Sequence, residues 1–143
     1  MELVLSSAIL EELQELARQA APEEACGLLF GDNGTVSSFK ATENVAENRL
    51  RHFEVDPRDL IAAECAMRDN GPGIIGYYHS HPSGTVEPSK TDAAMAAGDE
   101  RIWLIINGQD AAAWQAMENG KIYGRFDPIT LDCQSTKGQT ADD

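Results

Sequence analysis

Apolar residues recur along parts of the chain at the three- and four-residue steps of an amphipathic helix. The clearest such stretch is residues 7–20. Ser7 can cap the start of this helix, and Pro22 stops it because proline cannot continue a helix. Asp56-Pro57 predicts a second helix start, with Asp as the cap and Pro in the first turn. Helices are therefore expected over residues 7–20 and 56–69, with a short third helix beginning at Ser89.

Short apolar runs bounded by turn residues predict the strands. They cover residues 2–5, 26–31, 35–41, 53–55, 73–79 and 101–106. Asp32-Asn33-Gly34 has the composition of a hairpin turn, so the second and third of these runs are expected to pair.

The last part of the chain predicts a further β-hairpin. Asn119-Gly120, the dipeptide most typical of a two-residue hairpin turn, separates two runs of strand-like sequence. Such a turn places Glu118 opposite Lys121 and Ala116 opposite Tyr123, and both are favourable cross-strand pairs.

Together these elements predict one α/β domain of the α+β kind over residues 1–130. Its sheet is expected to be mixed and mainly antiparallel, and about three helices pack against it. Residues 131–143 are polar and are expected to form a flexible C-terminal tail.

The composition narrows the range of functions. A net charge of −13 disfavours nucleic acid as a partner, because an acidic surface repels phosphates. No apolar run reaches the roughly 20 residues that a membrane helix needs, and the first residues lack the pattern of a signal peptide. The three cysteines are an odd number without a closely spaced pair, which disfavours a disulfide framework. A reducing cytoplasm is therefore the expected location, with no membrane partner.

The candidate chemistry begins with two histidines at the end of a predicted strand. Because side chains alternate along a strand, His79 and His81 share one face, with Cα atoms about 6.6 Å apart. Two imidazoles at this spacing can converge on one metal ion, and Pro82 places the pair at the rim of the sheet. By the same alternation Ser80 points away, where it can support the site or pack within the strand.

Asp92 is the candidate third ligand, eleven residues after His81 and beyond a turn-rich loop. Two histidines and one aspartate leave a fourth position open, which is the pattern of a catalytic zinc rather than a structural one. Ser89 and Asp92 also fit a capping box, in which the serine caps a helix and the acidic residue follows three positions later. Ser89 can serve as a cap, face the site, or do both.

The combined motif resembles that of a known family. His79-Ser80-His81-Pro82, six further residues, Ser89, two more and then Asp92 are similar to the metal motif of the JAMM (MPN+) zinc metallopeptidases of the prokaryotic stand-alone type. The family also has a glutamate shortly before a glycine-containing apolar strand. Glu24 matches that position better than Glu23 does.

The resemblance implies a fold, a cofactor and residue roles. It implies a single MPN-like, cytidine-deaminase-like domain that binds one Zn²⁺ per chain. His79, His81 and Asp92 inherit the role of zinc ligands, and Glu24 that of general base on the zinc-activated water. Ser89 inherits the role of stabilising the tetrahedral intermediate.

The activity that the resemblance implies is hydrolysis of a peptide or isopeptide bond. The bond expected is one after the C-terminal glycine of a ubiquitin-like or sulfur-carrier protein, which would be the partner. The same fold also serves as a non-catalytic interaction scaffold, but such members typically lose metal ligands, and all five positions are present here. RadC-type proteins share the zinc pattern with Asn in place of Ser80, and their His-Pro-Ser-Gly recurs at residues 81–84, so a RadC-like role stays open.

Other reactive or aromatic residues are expected to be structural. Cys26 lies in an apolar strand and is interpreted as a small core residue rather than a nucleophile. His52 is expected on the surface, and Trp103 and Trp114 in the core. A zinc deaminase would need His-x-Glu followed by Pro-Cys-x-x-Cys, and neither pattern occurs.

Overall fold

The computed structural model describes residues 1–135, which form seven strands and three helices. The predicted number of helices is confirmed. In chain order the elements are β1 (Glu2–Ser6), α1 (Ser7–Ala20), β2 (Cys26–Asp32), β3 (Thr35–Thr42), α2 (Pro57–Arg68), β4 (Ile74–Ser80), α3 (Lys90–Met95), β5 (Ile102–Ile106), β6 (Ala111–Gly120) and β7 (Gly124–Gln134).

The strands form one sheet in the order β1-β3-β2-β4-β5-β6-β7, which closes into a barrel. Closure depends on β1, which runs parallel to β7 along its whole length and meets β3 at Val4–Thr35. The sheet is mixed, as predicted, with four antiparallel and three parallel pairings. The β4–β5 pair is parallel because the segment between them, which contains α3, crosses over one face.

The helix starts match the sequence pattern with one correction. Ser6 rather than Ser7 caps α1, and its Oγ accepts a hydrogen bond from the Ile9 N–H at 3.1 Å. Asp56 caps α2 as predicted, accepting from the Arg58 N–H at 2.9 Å. The strand predicted over residues 53–55 is wrong, because only an isolated bridge between Asn44 and Val55 forms there.

The central strands send alternate side chains into two apolar clusters. One cluster packs against α1, and the other packs against α2 and α3. The α1 side holds Leu13, Leu29, Tyr78, Ile102, Leu104 and Ile106, and the opposite side holds Leu28, Phe30, Phe53, Trp103, Ile105 and Trp114. His79 lies on the Trp103 side, so the alternation of β4 separates it from Tyr78. Both tryptophans are buried, which confirms their assignment to the core.

The C-terminal hairpin forms, but its predicted register is wrong. Ala116 pairs with Phe126, and the chain turns at residues 121–123 instead of at Asn119-Gly120. The shift of three positions reverses which residues of β7 face inward. Phe126 is fully buried, whereas Tyr123 is 55% exposed, so core packing outweighs the local preference of the Asn-Gly turn.

The boundary predicted for the C-terminal tail also needs correction. Residues 131–134 belong to β7, where Leu131 pairs with Leu3 and Cys133 with Leu5. The rest of the predicted tail, residues 136–143, lies outside the described residues. Among the described helices, none is long and apolar enough to cross a membrane.

Candidate metal centre

The end of β4 brings the two motif histidines together as the strand alternation predicted. Their Nε2 atoms lie 3.1 Å apart. His79 is completely buried, stacked on Phe53 at a centroid distance of 4.2 Å with 15° between the ring planes. His81 is partly open to solvent, and its Nδ1 donates to the Thr85 carbonyl at 2.8 Å. That bond places the proton of the neutral His81 ring on Nδ1, so the lone pair of Nε2 points at the site.

The start of α3 supplies the third predicted ligand. Ser89 and Asp92 form a complete capping box, with Asp92 N–H donating to Ser89 Oγ and Ser89 N–H donating to Asp92 Oδ2, both at 3.0 Å. The same Asp92 carboxylate lies 3.1 Å from His81 Nε2 and 3.2 Å from His79 Nε2. Capping and site formation are therefore combined in one carboxylate.

The spacing of these three groups fits a tetrahedral metal. Ligand atoms about 2.0–2.1 Å from a tetrahedral zinc lie about 3.4 Å from one another. The separations of 3.1–3.2 Å among His79, His81 and Asp92 are close to this value. Two imidazole lone pairs approach this closely only when a proton or a cation lies between them. Glu24 joins both histidines in a looser group whose ligand atoms lie within 4.8 Å of one another. We therefore regard the two histidines and Asp92 as the tighter donor set.

Backbone hydrogen bonds on two sides fix Glu24. Its N–H donates to the Arg49 carbonyl at 2.8 Å, and its carbonyl accepts from Asn44 Nδ2 at 3.0 Å. The next residue, Ala25, exchanges two bonds with Ser80, through the Ser80 Oγ at 2.8 Å and the Ser80 N–H at 3.0 Å. Ser80 thus points away from the histidines, as predicted, and ties the strand that carries them to the segment that carries Glu24.

Burial sets the protonation of the site. Burial raises the pKa of Glu24 to about 7, with His81 opposing and Asp92 adding to the shift. The pKa of His79 is lowered, mainly by burial. For His81 and Asp92 burial acts against the net change. The hydrogen bonds and charges around the two groups together outweigh burial, raising the pKa of His81 through Asp92 and Thr85 and lowering that of Asp92 through both histidines. At neutral pH this combination provides a neutral His79 beside an ionised Asp92, the forms that bind a metal.

A cleft of about 380 Å³ opens in front of the site. It is lined by Glu24, Leu50, Arg51, His52, His81, Pro82, Ser83, Gly84, Ser89 and Thr91. One wall is the loop after β4, anchored where Trp114 Nε1 donates to the Val86 carbonyl at 2.9 Å. His52, which the sequence placed on the surface, is half-buried and lines this cleft.

The structure also shows supporting residues that the sequence reasoning missed. The buried amide of Asn44 makes four hydrogen bonds of 3.0 Å each, to the carbonyls of Glu24 and His52 and from the N–H groups of Ala46 and Glu54. Asn44 therefore uses all of its hydrogen-bonding capacity to hold the loop after β3 against Glu24. A lone Asn in a polar loop gives no sequence signal for this role.

Cys26 is a core residue, as expected from its apolar strand. It is 2% exposed, and its Sγ lies 3.5 Å from Thr42 Oγ1. Burial raises the pKa of the thiol to about 11. The protonated thiol is a poor nucleophile, so Cys26 contributes packing rather than chemistry.

The fold and the histidine–carboxylate centre define the class of protein. The model of the family described as prokaryotic homologs of the JAB domain matches residues 6–119. Since this range covers most of the chain, the protein belongs to that family.

Individual proteins show the same likeness. A desampylase from Haloferax volcanii is 34% identical over 99 residues, which cover 68% of this chain and 71% of that protein. A CysO-cysteine peptidase from Mycobacterium tuberculosis is 26% identical over 109 residues, which cover 76% of this chain and 75% of that protein. The crystal structure of a JAB1/MPN domain protein from Archaeoglobus fulgidus is 17% identical, has a TM-score of 0.57, and covers 91% of this chain and 99% of that chain. The likeness to this last structure establishes the MPN-type fold.

Proposed function

We propose that this protein is a zinc-dependent metallopeptidase that hydrolyses a peptide or isopeptide bond after the C-terminal glycine of a ubiquitin-like or sulfur-carrier protein. One observation carries the proposal. Two imidazoles and the Asp92 carboxylate converge within 3.2 Å, and a second buried carboxylate, Glu24, stands beside them. Relatives named desampylase and CysO-cysteine peptidase support the substrate class.

His79, His81 and Asp92 would hold one zinc ion per chain. When bound, zinc supplies Lewis acidity and lowers the pKa of a water molecule to about 7. The bond from His81 to the Thr85 carbonyl orients one ring, and the stack on Phe53 fixes the other. The protein thus holds the donor atoms in place without rearrangement.

Glu24 is the proposed general base. Its Oε1 atom is buried and has no hydrogen-bond partner among the described residues. A pKa near 7 lets the carboxylate accept a proton from the attacking water and later give it to the leaving amine. Ser89 Oγ accepts from the Asp92 N–H, so its own hydrogen remains available to donate to the oxyanion that forms at the substrate carbonyl.

A cytoplasmic location fits this function. Cys26, Cys65 and Cys133 are all unpaired thiols among the described residues. Free thiols are typical of proteins in a reducing compartment.

The experiment that tests the proposal has two stages. The first measures zinc per chain in wild type and in His81→Ala, and we expect close to one in wild type and almost none in the variant. The second incubates zinc-loaded protein with ubiquitin-like and sulfur-carrier proteins extended beyond their terminal Gly-Gly, and mass spectrometry detects the loss of the extension. Zinc binding without cleavage of any member of the panel would overturn the enzyme proposal in favour of an interaction scaffold.

A further inference from the structure

One segment that lines the cleft carries several basic residues. Arg49, Arg51 and His52 fall within four positions of a chain whose net charge is −13. Arg51 and His52 line the same cleft as Glu24, His81 and Ser89. An arginine in the cleft beside the catalytic groups of an acidic protein is suited to the recognition of a negative group on the substrate.

The two arginines of this segment differ in their contacts. Arg49 Nε donates to Glu23 Oε1 at 3.2 Å, so a carboxylate of the protein already compensates its charge. The Arg51 guanidinium has no hydrogen-bond or ion-pair partner within residues 1–135, and its side chain is exposed to the cleft. A free guanidinium presents a planar set of donors that matches a carboxylate in two-point contact.

Hydrogen bonds fix the backbone of the segment that carries Arg51 relative to Glu24. The Glu24 N–H bonds the Arg49 carbonyl at 2.8 Å, and the Asn44 amide joins the carbonyls of Glu24 and His52. Within the loop, the N–H groups of Arg51 and His52 both donate to the Asn48 carbonyl, at 3.3 and 2.9 Å. The general base and the free arginine are therefore held on one connected unit.

We propose that Arg51 binds the free α-carboxylate of a single amino acid attached to the C-terminal glycine of the carrier protein. This inference rests on the proposed function and deepens it by naming the leaving group. Hydrolysis breaks the bond between the glycine carbonyl carbon and the leaving nitrogen. The oxygen of water goes to the carbon, and Glu24 delivers the proton to the nitrogen.

The chemistry of the leaving group explains the selectivity. In an α-linked amino acid, the leaving nitrogen and the carboxylate are attached to the same carbon, so a nitrogen beside Glu24 places the carboxylate in the cleft that Arg51 lines. A lysine joined through its side chain presents a four-carbon stem instead, and its own carboxyl group is tied up in the peptide chain. The site is thus adapted to remove one terminal residue rather than to detach a carrier from a lysine.

Two probes test the inference. Both are a ubiquitin-fold sulfur carrier ending in Gly-Gly and extended by one alanine, with either a free carboxylate or a carboxamide at the terminus. We expect the zinc-loaded wild type to cleave the carboxylate probe with a kcat/KM about tenfold higher than the amide, mainly through KM, as for a charge-assisted hydrogen bond at a partly exposed site. Arg51→Ala should reduce this ratio to about one, and Arg51→Lys should restore only part of it.

Two variants separate specific recognition from general charge. Arg49→Ala removes a neighbouring cation that is already paired, and Arg125→Ala removes an exposed cation on β7 outside the cleft. Both should retain the tenfold preference. Equal cleavage of the two probes by wild type, or an equal loss on both probes in Arg51→Ala, would overturn the inference while leaving the proposed function intact. Failure of wild type to cleave either probe, or any carrier of the wider panel, would overturn the proposed function and this inference with it.

Discussion

The starts of α2 and α3 each use an aspartate carboxylate to accept a hydrogen bond from a free backbone N–H, as the cap itself in Asp56 and as the third residue of a capping box in Asp92. At α2, Asp56 is 7% exposed, and its carboxylate accepts from the Arg58 N–H and pairs at 2.9 Å with the guanidinium of Arg58, whose side chain is 88% exposed. At α3, the Asp92 carboxylate accepts from Ser89 N–H and also faces both histidines, and Asp92 is 3% exposed. One carboxylate ends in an ion pair with an exposed arginine, and the other ends in the candidate metal centre.

The difference shows how a common local motif acquires a function. A hydrogen bond to the N–H groups of a helix start fixes the position of a carboxylate, whichever group its other oxygen contacts. Where the remaining oxygen pairs with the guanidinium of an exposed arginine, as in Asp56, the result is a helix start. Where the remaining oxygen faces two imidazoles, as in Asp92, the helix start positions a candidate metal ligand.

The largest effect is expected from Asp92→Ala. Zinc content should fall from about one per chain to nearly zero, because two histidines alone bind zinc weakly, and hydrolysis should be lost with it. The metal-free protein should lose only about 1 kcal/mol of unfolding free energy, the usual cost of a lost cap. Elemental analysis and thermal denaturation measure the two effects separately, and a variant that keeps its zinc would reduce Asp92 to the status of Asp56.

The next effect is expected from Glu24→Gln, which removes a site carboxylate without a capping role. Zinc should remain bound while kcat falls by about 10²–10⁴, the usual contribution of a general base. In the wild type, kcat/KM should fall as pH drops below about 7, since Glu24 must be ionised to accept a proton. An activity independent of pH between 5.5 and 8, or full activity in the variant, would exclude Glu24 from the proposed role.

The same substitution has an opposite effect on stability. A carboxyl group whose folded pKa is about 7 and whose ordinary value is 4.5 favours unfolding once it ionises. Metal-free Glu24→Gln should therefore match wild type below pH 4 and become more stable as pH rises, by up to about 3 kcal/mol above pH 7. Denaturant titrations at several pH values measure this difference, and a stability gap that stays constant with pH would contradict it.

Ser89→Ala is expected to have both a structural and a catalytic effect. Loss of the cap should cost about 1 kcal/mol, and loss of a donor to the oxyanion should lower kcat by about 10²-fold. Ser89→Thr keeps the hydroxyl and should recover most of both losses. If Ser89→Ala lowers stability alone while kcat is unchanged, Ser89 is a cap and nothing more.

The smallest effect is expected from Asp56→Ala, the matched control for Asp92. It should cost about 1 kcal/mol, or about 2–4 °C in Tm for a chain of this size, and leave zinc content and kcat unchanged. A loss of zinc in this variant would show that the two helix starts are coupled.

The sequence predicted those parts of the site that depend on local spacing. His79 and His81 share a face because strand alternation requires it, and Asp92 follows a cap whose pattern is visible in the chain. Glu24 was found only through the family resemblance. Asn44 was missed because its four bonds join segments distant in sequence.

The errors in the fold have a similar origin. The Asn119-Gly120 turn is a strong local signal, yet burial of Phe126 against Ala116 decides the register. The hydrophobic pattern of the sequence also did not predict that β1 closes the barrel. This short strand pairs in parallel with both β3 and β7, and tertiary packing rather than local sequence determines such pairing. Local chemistry was therefore easier to predict than long-range pairing.

The saturated amide of Asn44 has a practical consequence for engineering. Both ends of the segment from residue 45 to residue 53 are hydrogen-bonded to the Asn44 side chain, which fixes the position of the two ends. The Glu24 N–H also bonds the backbone carbonyl of Arg49 within this segment, so side chains can be exchanged there as long as the backbone path is kept. Variants confined to the side chains of residues 50 and 51 can therefore alter the wall of the cleft without changing the residues that position the histidines.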